Sequence, residues 1–582
     1  MREASSPLLV PADPSLSAYD LLARRVSVAP DHPAFLRPSP AGWMAVSSVE
    51  FGRDVDAAAA TLLRRGIGPG EPVLLMSATS YQWAVWDFAV WRCGAVGVPV
   101  YPTASAGQVS DILARTGARV GIVDGERRGR LAVAGVDEVD AGLPGTAATA
   151  AELAELAERS ERLRGADVAT IVFTSGSGGE PRGVEILHCN LVSQALNVQA
   201  AYSGLITDRA TTLIFLPLAH ILARGLQVAA LAAGMTIAHV GDPTRAVPTL
   251  AEVRPTFLVV APRVLEKILE RVRATAAEAH LGGVFAAAER VAIRRGRMLE
   301  ATDAERREPW GVADRVGFAA SDRLFFARIR RLLGGRLDCL LSGSAPLAAE
   351  TSLFFRGIGI PVIEGYGLTE TTAPATGNLP GRIRSGSVGT PVPGTTIRIA
   401  ADGEVQVRGP GVCAGYLGER PGAGFTEDGF LRTGDLGRLD EDGFLWLTGR
   451  AKDILITASG KNIAPAGWER LVEQDPAVEH AVMVGDRRPY AAALLFVGGS
   501  EATPWAGSLV EDARQLAALQ RAVDAANATV SRAEQVKRWL ALRVRLSEDA
   551  GLLTPTGKVR RAHVVQQAAD LIERLYLADG GR

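Results

Sequence analysis

The sequence predicts an α/β protein: a large N-terminal domain of α/β layers with a small β subdomain, then a small α+β C-terminal lid domain. Three observations carry this. Short apolar runs such as Val73-Leu-Leu-Met76 and Val120-Gly-Ile-Val123 alternate with Ala/Leu/Arg-rich helical stretches, the pattern of strands and helices in layers. Three Asp-Gly turn signals (Asp402-Gly403, Asp428-Gly429, Asp442-Gly443) punctuate short strands between about Ser387 and Leu447, which marks the β subdomain. Finally, 582 residues with 47% apolar content suffice for two or more cores. The domain boundary is expected at Gly449–Asp453, dividing the chain into 1–450 and 451–582.

Taken in order, Ser48 to Arg64 reads as a helix. Val73 to Met76, Gly94 to Val100 and Val120 to Val123 read as buried strands. The alanine-rich run 143–158 is a linker or a surface helix. Val168-Ala-Thr-Ile-Val-Phe173 is a β-branched strand, Pro248 to Val253 is helical, and Phe257-Leu-Val-Val260 is a further strand. Residues 263–333 are charged and helical in composition, an added helical layer on the first domain. Within them Arg323 to Leu333 is a basic amphipathic segment that either packs inward, as such stripes usually do, or touches a membrane surface. Beyond the boundary, strands Ala481 to Val484 and Ala491 to Val497 mix with helices in a compact α+β unit.

Composition excludes several classes. A net charge of −1 and a pI near 6.7 leave no footprint for a nucleic acid. Cys93, Cys189, Cys339 and Cys413 are too far apart in sequence for a disulfide framework or a zinc site, and the seven histidines are scattered. The N-terminus lacks an apolar export core, and the most apolar stretch, Val85 to Val100, is interrupted by Asp87 and Arg92. The expectation is a cytoplasmic protein with at most peripheral membrane contact.

The chemistry begins after the Val168–Phe173 strand, in Thr174-Ser175-Gly176-Ser177-Gly178-Gly179-Glu-Pro-Arg182-Gly-Val184. Alternating hydroxyls and glycines leave backbone N–H groups free to cradle an oligophosphate, and Arg182 adds a permanent cation. A plain connecting loop is the alternative. Neither the Walker spacing nor the three-glycine dinucleotide pattern is present. Four later segments follow in order: Glu364-Gly365-Tyr366-Gly367-Leu-Thr369-Glu370, Thr433-Gly-Asp435, Gly449-Arg450-Ala-Lys452-Asp453 and Pro555-Thr-Gly-Lys558. With the glycine-rich loop they resemble the adenylate-forming superfamily, whose members couple ATP to a carboxylate and then usually to coenzyme A. The likeness spans about residues 45 to 565. Val98-Pro-Val-Tyr-Pro-Thr103, Leu216 to Ile221, Arg254 to Thr256, Ala261 to Arg263 and Gly335-Arg336 before Ser342 to Pro346 are similar to the long-chain acyl-CoA synthetase branch.

The resemblance implies a role for each motif. A carboxylate attacking the α-phosphorus of ATP is already ionised, so such an enzyme needs cations and donors rather than a general base. Thr174, Ser175, Ser177 and the loop amides would hold the β- and γ-phosphates with Arg182. Glu370 would coordinate Mg²⁺, and Thr369 would bond the α-phosphate. Tyr366 would lie on the adenine, with the Gly343-Ser344-Ala345-Pro346 turn on its other side. Asp435 would accept from the ribose hydroxyls, Arg450 would reach the ribose or α-phosphate, and Lys558 the reacting carboxylate. Lys452 sits where the family has its hinge, about which the small domain swings between half-reactions. Gly460-Lys461 resembles the segment lining the thiol tunnel. His220 is either a satisfied core histidine or, as the family position implies, a gate or acyl-carboxylate contact. Phe215 to His220 offers no aspartate for a substrate ammonium, which points to an apolar acyl group.

Three positions depart from the family pattern. Gly178 stands where Thr or Ser is usual, and Arg182 where Lys is usual. Trp468 replaces an isoleucine near the expected thiol path, which puts the second half-reaction in question. The reading is an ATP-dependent, AMP-forming acyl-CoA synthetase using ATP, Mg²⁺ and coenzyme A on a long-chain or bulky apolar carboxylic acid. The alternatives are a ligase that stops at acyl-AMP or loads an acyl carrier protein, and a silent acyl-adenylate-binding protein. Retention of Glu370, Asp435, Arg450 and Lys558 speaks against the last.

Overall fold

The computed structural model describes residues 2–131, 135–175, 181–300, 310–458, 461–500, 505–532, 534–548, 550–554 and 557–577. The chain is mixed α/β, with a large N-terminal and a small C-terminal domain. By internal contacts it divides into one unit of Met1–Ala400, Gln406–Thr433 and Leu439–Trp446, and a second of Ala401–Val405, Gly434–Arg438 and Leu447–Arg582.

Two sheets organise the first unit. One has seven strands in the order Gly415–Tyr416, Pro181–Leu187, Val168–Ser175, Val96–Pro99, Pro72–Met76, Val120–Val123, Asp137–Asp140. Its strands from Val168–Ser175 to Asp137–Asp140 pair in parallel. The other has nine, in the order Thr390–Pro391, Thr376–Gly377, Val362–Tyr366, Cys339–Ser342, Phe257–Val260, Thr211–Ile214, Thr236–His239, Pro33–Ser39, Gly42–Ser47. Parallel strands buried on both faces read as continuous apolar runs, which is why they were legible in the sequence. The Ser48–Arg64 helix begins where expected because Ser47 and Glu50 form a reciprocal capping box. The helix Tyr81–Arg92 is buried almost all round, with Trp83, Trp86 and Trp91 inside. That accounts for the apolar stretch beginning at Val85. No described helix is long and apolar enough to cross a membrane.

The alanine-rich run becomes the helix Ala150–Arg162, on which only Leu156 is buried. Residues 263–333 supply the helices Pro262–Glu278, Gly282–Glu300, Val312–Ser321 and Ala327–Leu332. In the basic amphipathic segment, Phe326, Ile329 and Leu333 pack inward while Leu324 and Leu332 stay exposed. A five-stranded sheet, in the order Glu3–Ser5, Thr396–Ile399, Glu404–Arg408, Leu431–Leu439, Leu445–Arg450, forms the β subdomain. Its Asp-Gly turns place Gly403, Gly429 and Gly443 at φ of 88°, 82° and 81°, a region open to glycine at no steric cost. Its first strand comes from the N-terminus, a pairing that no local pattern announces.

The second unit has its own sheet, His480–Val484, Ala492–Ser500 and Arg538–Val544, between helices that include Pro465–Val472, Ala513–Asn527 and Ala569–Leu577. Trp468 requires a correction here. Rather than projecting toward a thiol path, it is 1% exposed in the core of this unit, packed among Val472, Met483, Leu495 and Leu519. Its indole N–H donates to Asn527 Oδ1 at 2.9 Å, so the bulky ring has a satisfied interior position.

Candidate active site

Four of the expected site segments emerge at the carboxyl ends of parallel strands in the first unit, where open α/β sheets hold their ligands. The glycine-rich loop follows Val168–Ser175; Gly343–Pro346 follows Cys339–Ser342; Thr369 and Glu370 follow Val362–Tyr366; and Phe215–His220 follows Thr211–Ile214. Gly176, Ser177, Gly178 and Gly179 lie outside the described residues, as does Gly460. Thr174 pairs across the ladder with Arg182, and Ser175 with Pro181.

Arg182 carries the loop's cation to a defined place. Its guanidinium is held in two bonds by Glu419, Nε to Oε1 at 2.6 Å and Nη2 to Oε2 at 2.5 Å, and it stacks on the Tyr416 ring at 3.4 Å. The Arg182 hydrogen bonds hold the Glu419 carboxyl below its ordinary value. Tyr416 in turn donates its phenol O–H to Glu370 Oε1 at 3.2 Å. Burial first, then the Glu370 charge, pushes the Tyr416 phenol up, and the same two causes push the Cys413 thiol to about 12. Cys413 is thus an inert neighbour that anchors by its backbone, its N–H donating to the Glu370 carbonyl at 2.8 Å.

Glu370 lies in the one-turn 3₁₀ helix Thr369–Thr371. Two non-glycine residues directly after it hold left-handed backbones, Thr372 at φ 51° and Ala373 at φ 34°, strain of a kind that persists only where the surroundings impose it. Thr372 Oγ1 donates to Gly411 O at 2.7 Å, and Gln194 Nε2 donates to both Ala373 O and Pro374 O. No cluster of three His, Cys, Asp or Glu able to hold a metal occurs among the described residues. A single carboxylate at Glu370 fits a Mg²⁺ that arrives on nucleotide phosphates and takes most of its ligands from them and from water.

Other expected residues have visible structural work. Tyr366 is buried, at 7% exposure. Ser344 sits at φ 70° and bends the Gly343–Pro346 turn. Glu364 is buried, its Oε1 accepting from Gly386 N at 2.9 Å. His220 caps the helix Ile221–Ala232, its Nδ1 accepting from Leu222 N at 3.2 Å.

Beside this cluster lies an apolar cavity of about 50 Å³ between the helices His188–Ala201 and Ile221–Ala232. Leu191, Val198, Tyr202, Leu226 and Phe257 line it, and Thr372 to Pro374 form part of its wall.

The second unit gathers the remaining cations. Arg450 Nε pairs with the buried Asp435 Oδ1 at 2.8 Å. Lys558 is presented by a tight turn in which Thr554 N donates to Lys558 O at 2.8 Å and Gly557 takes φ 77°. The residue as a whole is exposed, yet desolvation of its ammonium, then repulsion from Arg450, pulls Lys558 down to about 8, with Asp435 opposing. Lys452 is exposed in the 3₁₀ turn Ala451–Asp453. Lys461 closes a turn with Thr457, its O accepting from Thr457 N at 3.0 Å.

Sequence reasoning passed over Tyr416, Glu419 and Gln194. The signal for the first two was weak, a Gly415-Tyr416 pair between turns. For Gln194 it was a set of amides at 190, 194 and 197 in one helix.

Residues 22–417 match the AMP-binding enzyme family, and residues 452–579 match the AMP-binding enzyme C-terminal domain. The chain belongs to the AMP-binding enzyme family. This AMP-binding enzyme is 36% identical over 611 residues to the long-chain-fatty-acid–CoA ligase FadD15 of Mycobacterium bovis, covering 99% of this chain and 100% of the relative. It is 30% identical over 451 residues to the long-chain-fatty-acid–CoA ligase ACSBG2 of Gallus gallus, covering 70% and 58% respectively. Its fold matches an o-succinylbenzoate coenzyme A synthetase of Bacillus subtilis in complex with AMP, with a TM-score of 0.68 at 20% identity over 95% of this chain and 98% of the other. A Mycobacterium tuberculosis fatty acyl CoA synthetase matches with a TM-score of 0.60 at 21% identity, over 95% and 99% of the two chains.

Proposed function

We propose that this protein is an ATP-dependent, AMP-forming acyl-CoA synthetase that activates a long-chain or bulky apolar carboxylic acid. The observation that carries the substrate class is the 36% identity over 99% of this chain to a long-chain-fatty-acid–CoA ligase, and the small cavity walled by the turn after Glu370 has a matching apolar lining. Full-length identity with a long-chain-fatty-acid–CoA ligase supports the same reaction.

In the first half-reaction a carboxylate oxygen bonds to the α-phosphorus as the bond to the β-phosphate's bridging oxygen breaks and pyrophosphate leaves. Thr174, Ser175 and the loop amides hold the β- and γ-phosphates; Thr369 bonds the α-phosphate, and Tyr366 and the Gly343–Pro346 turn enclose the adenine. Glu370 would hold the Mg²⁺ that accompanies the nucleotide, which would supply charge neutralisation there. Asp435 takes the ribose hydroxyls, Arg450 the ribose or α-phosphate, and Lys558 neutralises the reacting carboxylate and bridging oxygen. His220 guards the junction of the acyl and nucleotide sites. Arg182 reaches the phosphates by exchanging its Glu419 partner for them, an anion swap that Arg geometry allows.

In the second half-reaction the coenzyme A sulfur bonds to the acyl carbon, the thiol proton passes to solvent, and AMP leaves. The small domain turns about Lys452, at a boundary between residues 450 and 451, with the Lys461 turn along the thiol path. Four unpaired cysteines suit a cytoplasmic location.

A pyrophosphate-release screen over fatty, aromatic and polycyclic acids tests the reading, with mass spectrometry for acyl-AMP and acyl-CoA. Long-chain acids should release pyrophosphate and yield acyl-CoA. Absence of pyrophosphate release with every acid tested would overturn the function. Acyl-AMP that accumulates with coenzyme A present, but discharges onto a carrier protein, would replace the final acceptor.

A further inference from the structure

The helix His188–Ala201 carries three buried amide side chains, Asn190, Gln194 and Asn197. Each clamps a different distant segment by its main chain. Asn190 Nδ2 donates to Pro410 O and Val412 O at 2.7 and 3.0 Å. Asn197 Oδ1 accepts from Leu9 N and Val10 N, both at 3.0 Å. Gln194 Nε2 donates to Ala373 O and Pro374 O. Such side chains cost desolvation unless satisfied, and each here is satisfied by backbone carbonyls or amides of a loop.

Gln194 differs from the other two in what lies at each end. Its amide holds the left-handed pair Thr372–Ala373, two residues beyond Glu370. The same residue lines the apolar cavity, together with Leu191, Ala195 and Val198 of its own helix. Asn190 supports the arrangement from the other side, because Cys413 next to Val412 donates its N–H to the Glu370 carbonyl. Space around the clamp is tight. A Cβ at Gly411 would meet Thr371 O at 2.8 Å and Gln194 Oε1 at 2.9 Å.

We propose that Gln194 is a positioning residue for adenylation, holding the strained Thr372–Ala373 turn and, through it, the Glu370 carboxylate that takes the nucleotide's metal. The inference rests on the function proposed above. A backbone held against its preference relaxes when its tether is removed, and the side-chain tethers of this turn are Gln194 Nε2 and Thr372 Oγ1, beside the main-chain bond from Ala373 N to Leu368 O at 3.2 Å. Because Gln194 also lines the apolar cavity, that cavity's wall and the metal ligand share one support.

The test compares wild type with Gln194→Met, which keeps the length and apolar stem but donates nothing. Electron paramagnetic resonance would follow Mn²⁺ binding in the presence of a non-hydrolysable ATP analogue, a readout independent of turnover. Two lost donors predict about a tenfold weaker Mn²⁺ affinity and a matching rise in the Mg²⁺ needed for half-maximal pyrophosphate release. Conversion of supplied acyl-adenylate to thioester should fall by much less. Unchanged Mn²⁺ affinity, or equal losses in the two half-reactions, would overturn the positioning role. Should Gln194→Met fail to fold, Thr372→Val removes the other tether of the same turn and should weaken Mn²⁺ binding in the same direction; no change there also overturns it. A wild type that binds no Mn²⁺ with nucleotide, and releases no pyrophosphate with any acid, would instead sink the functional reading itself.

Discussion

Lys558 offers a test in which pH, charge and the two half-reactions separate. Desolvation of its ammonium, followed by repulsion from Arg450, pulls the group down from its ordinary value to about 8. A lysine whose pKa is lowered loses its charge early as pH rises. The cation proposed to neutralise the carboxylate and bridging oxygen is therefore in place below about pH 8 and lost above it. With a pKa of about 8, roughly nine-tenths of the molecules carry the charge at pH 7 and about one-tenth at pH 9. Adenylation kcat/KM should run nearly level to about pH 7.5 and then fall toward tenfold per pH unit. Lys558→Arg keeps its charge throughout this range, so its alkaline limb should vanish whatever its absolute rate. Lys558→Ala should lose about 10²–10³ in adenylation, the usual cost of removing one transition-state donor. Supplied acyl-adenylate should still go to thioester in that variant. The assay is pyrophosphate release across pH, with acyl-CoA formation from acyl-adenylate as the control. A wild-type profile flat to about pH 10, or the same limb in Lys558→Arg, would refute the reasoning.

Four further outcomes are expected. Glu370→Gln should keep its Tyr416 partner and its fold but lose most adenylation, with activity partly restored by raised Mg²⁺; full activity at ordinary Mg²⁺ would remove Glu370 from the metal. Lys452→Pro fixes φ at the proposed pivot and disfavours the helical turn at Ala451, so acyl-AMP should accumulate while transfer to coenzyme A slows, read by mass spectrometry in single turnover. Trp468→Ala should destabilise the small domain by about 3–5 kcal/mol, because it empties a packed core and removes one of the two donors to Asn527 Oδ1, the other being Val536 N, as measured by denaturant unfolding. Arg224→Met would leave Asp87 buried without the partner that holds it at 2.5 Å and should cost about 3–5 kcal/mol by the same measurement.

Much of the fold was legible because its strands are central and parallel. Burial on both faces writes a strand such as Phe257–Val260 as an unbroken apolar run. The helix Ser48–Arg64 was read with its observed bounds, and the structure adds the Ser47/Glu50 capping box that fixes its start. The N-terminal strand Glu3–Ser5 was not legible, since three residues pairing with Thr396–Ile399 carry no period of their own. Trp468 misled for a related reason. Sequence position placed it near a functional segment, whereas the direction of its side chain depends on the helix Pro465–Val472 turning that face toward Asn527.

By itself, the sequence determined the chemical vocabulary of this protein: a hydroxyl- and glycine-rich turn after a strand, the Glu370 carboxylate, and the cations Arg450 and Lys558, each in a local motif that reads the same wherever the chain runs. Tertiary structure alone decided who holds whom. Arg182 sits in the grip of Glu419 from 237 residues away, Tyr416 reaches Glu370, and Gln194 clamps a turn 180 residues downstream. Local propensity acts over a few residues, and hydrogen bonds between distant segments exist only once sheet order has brought those segments together.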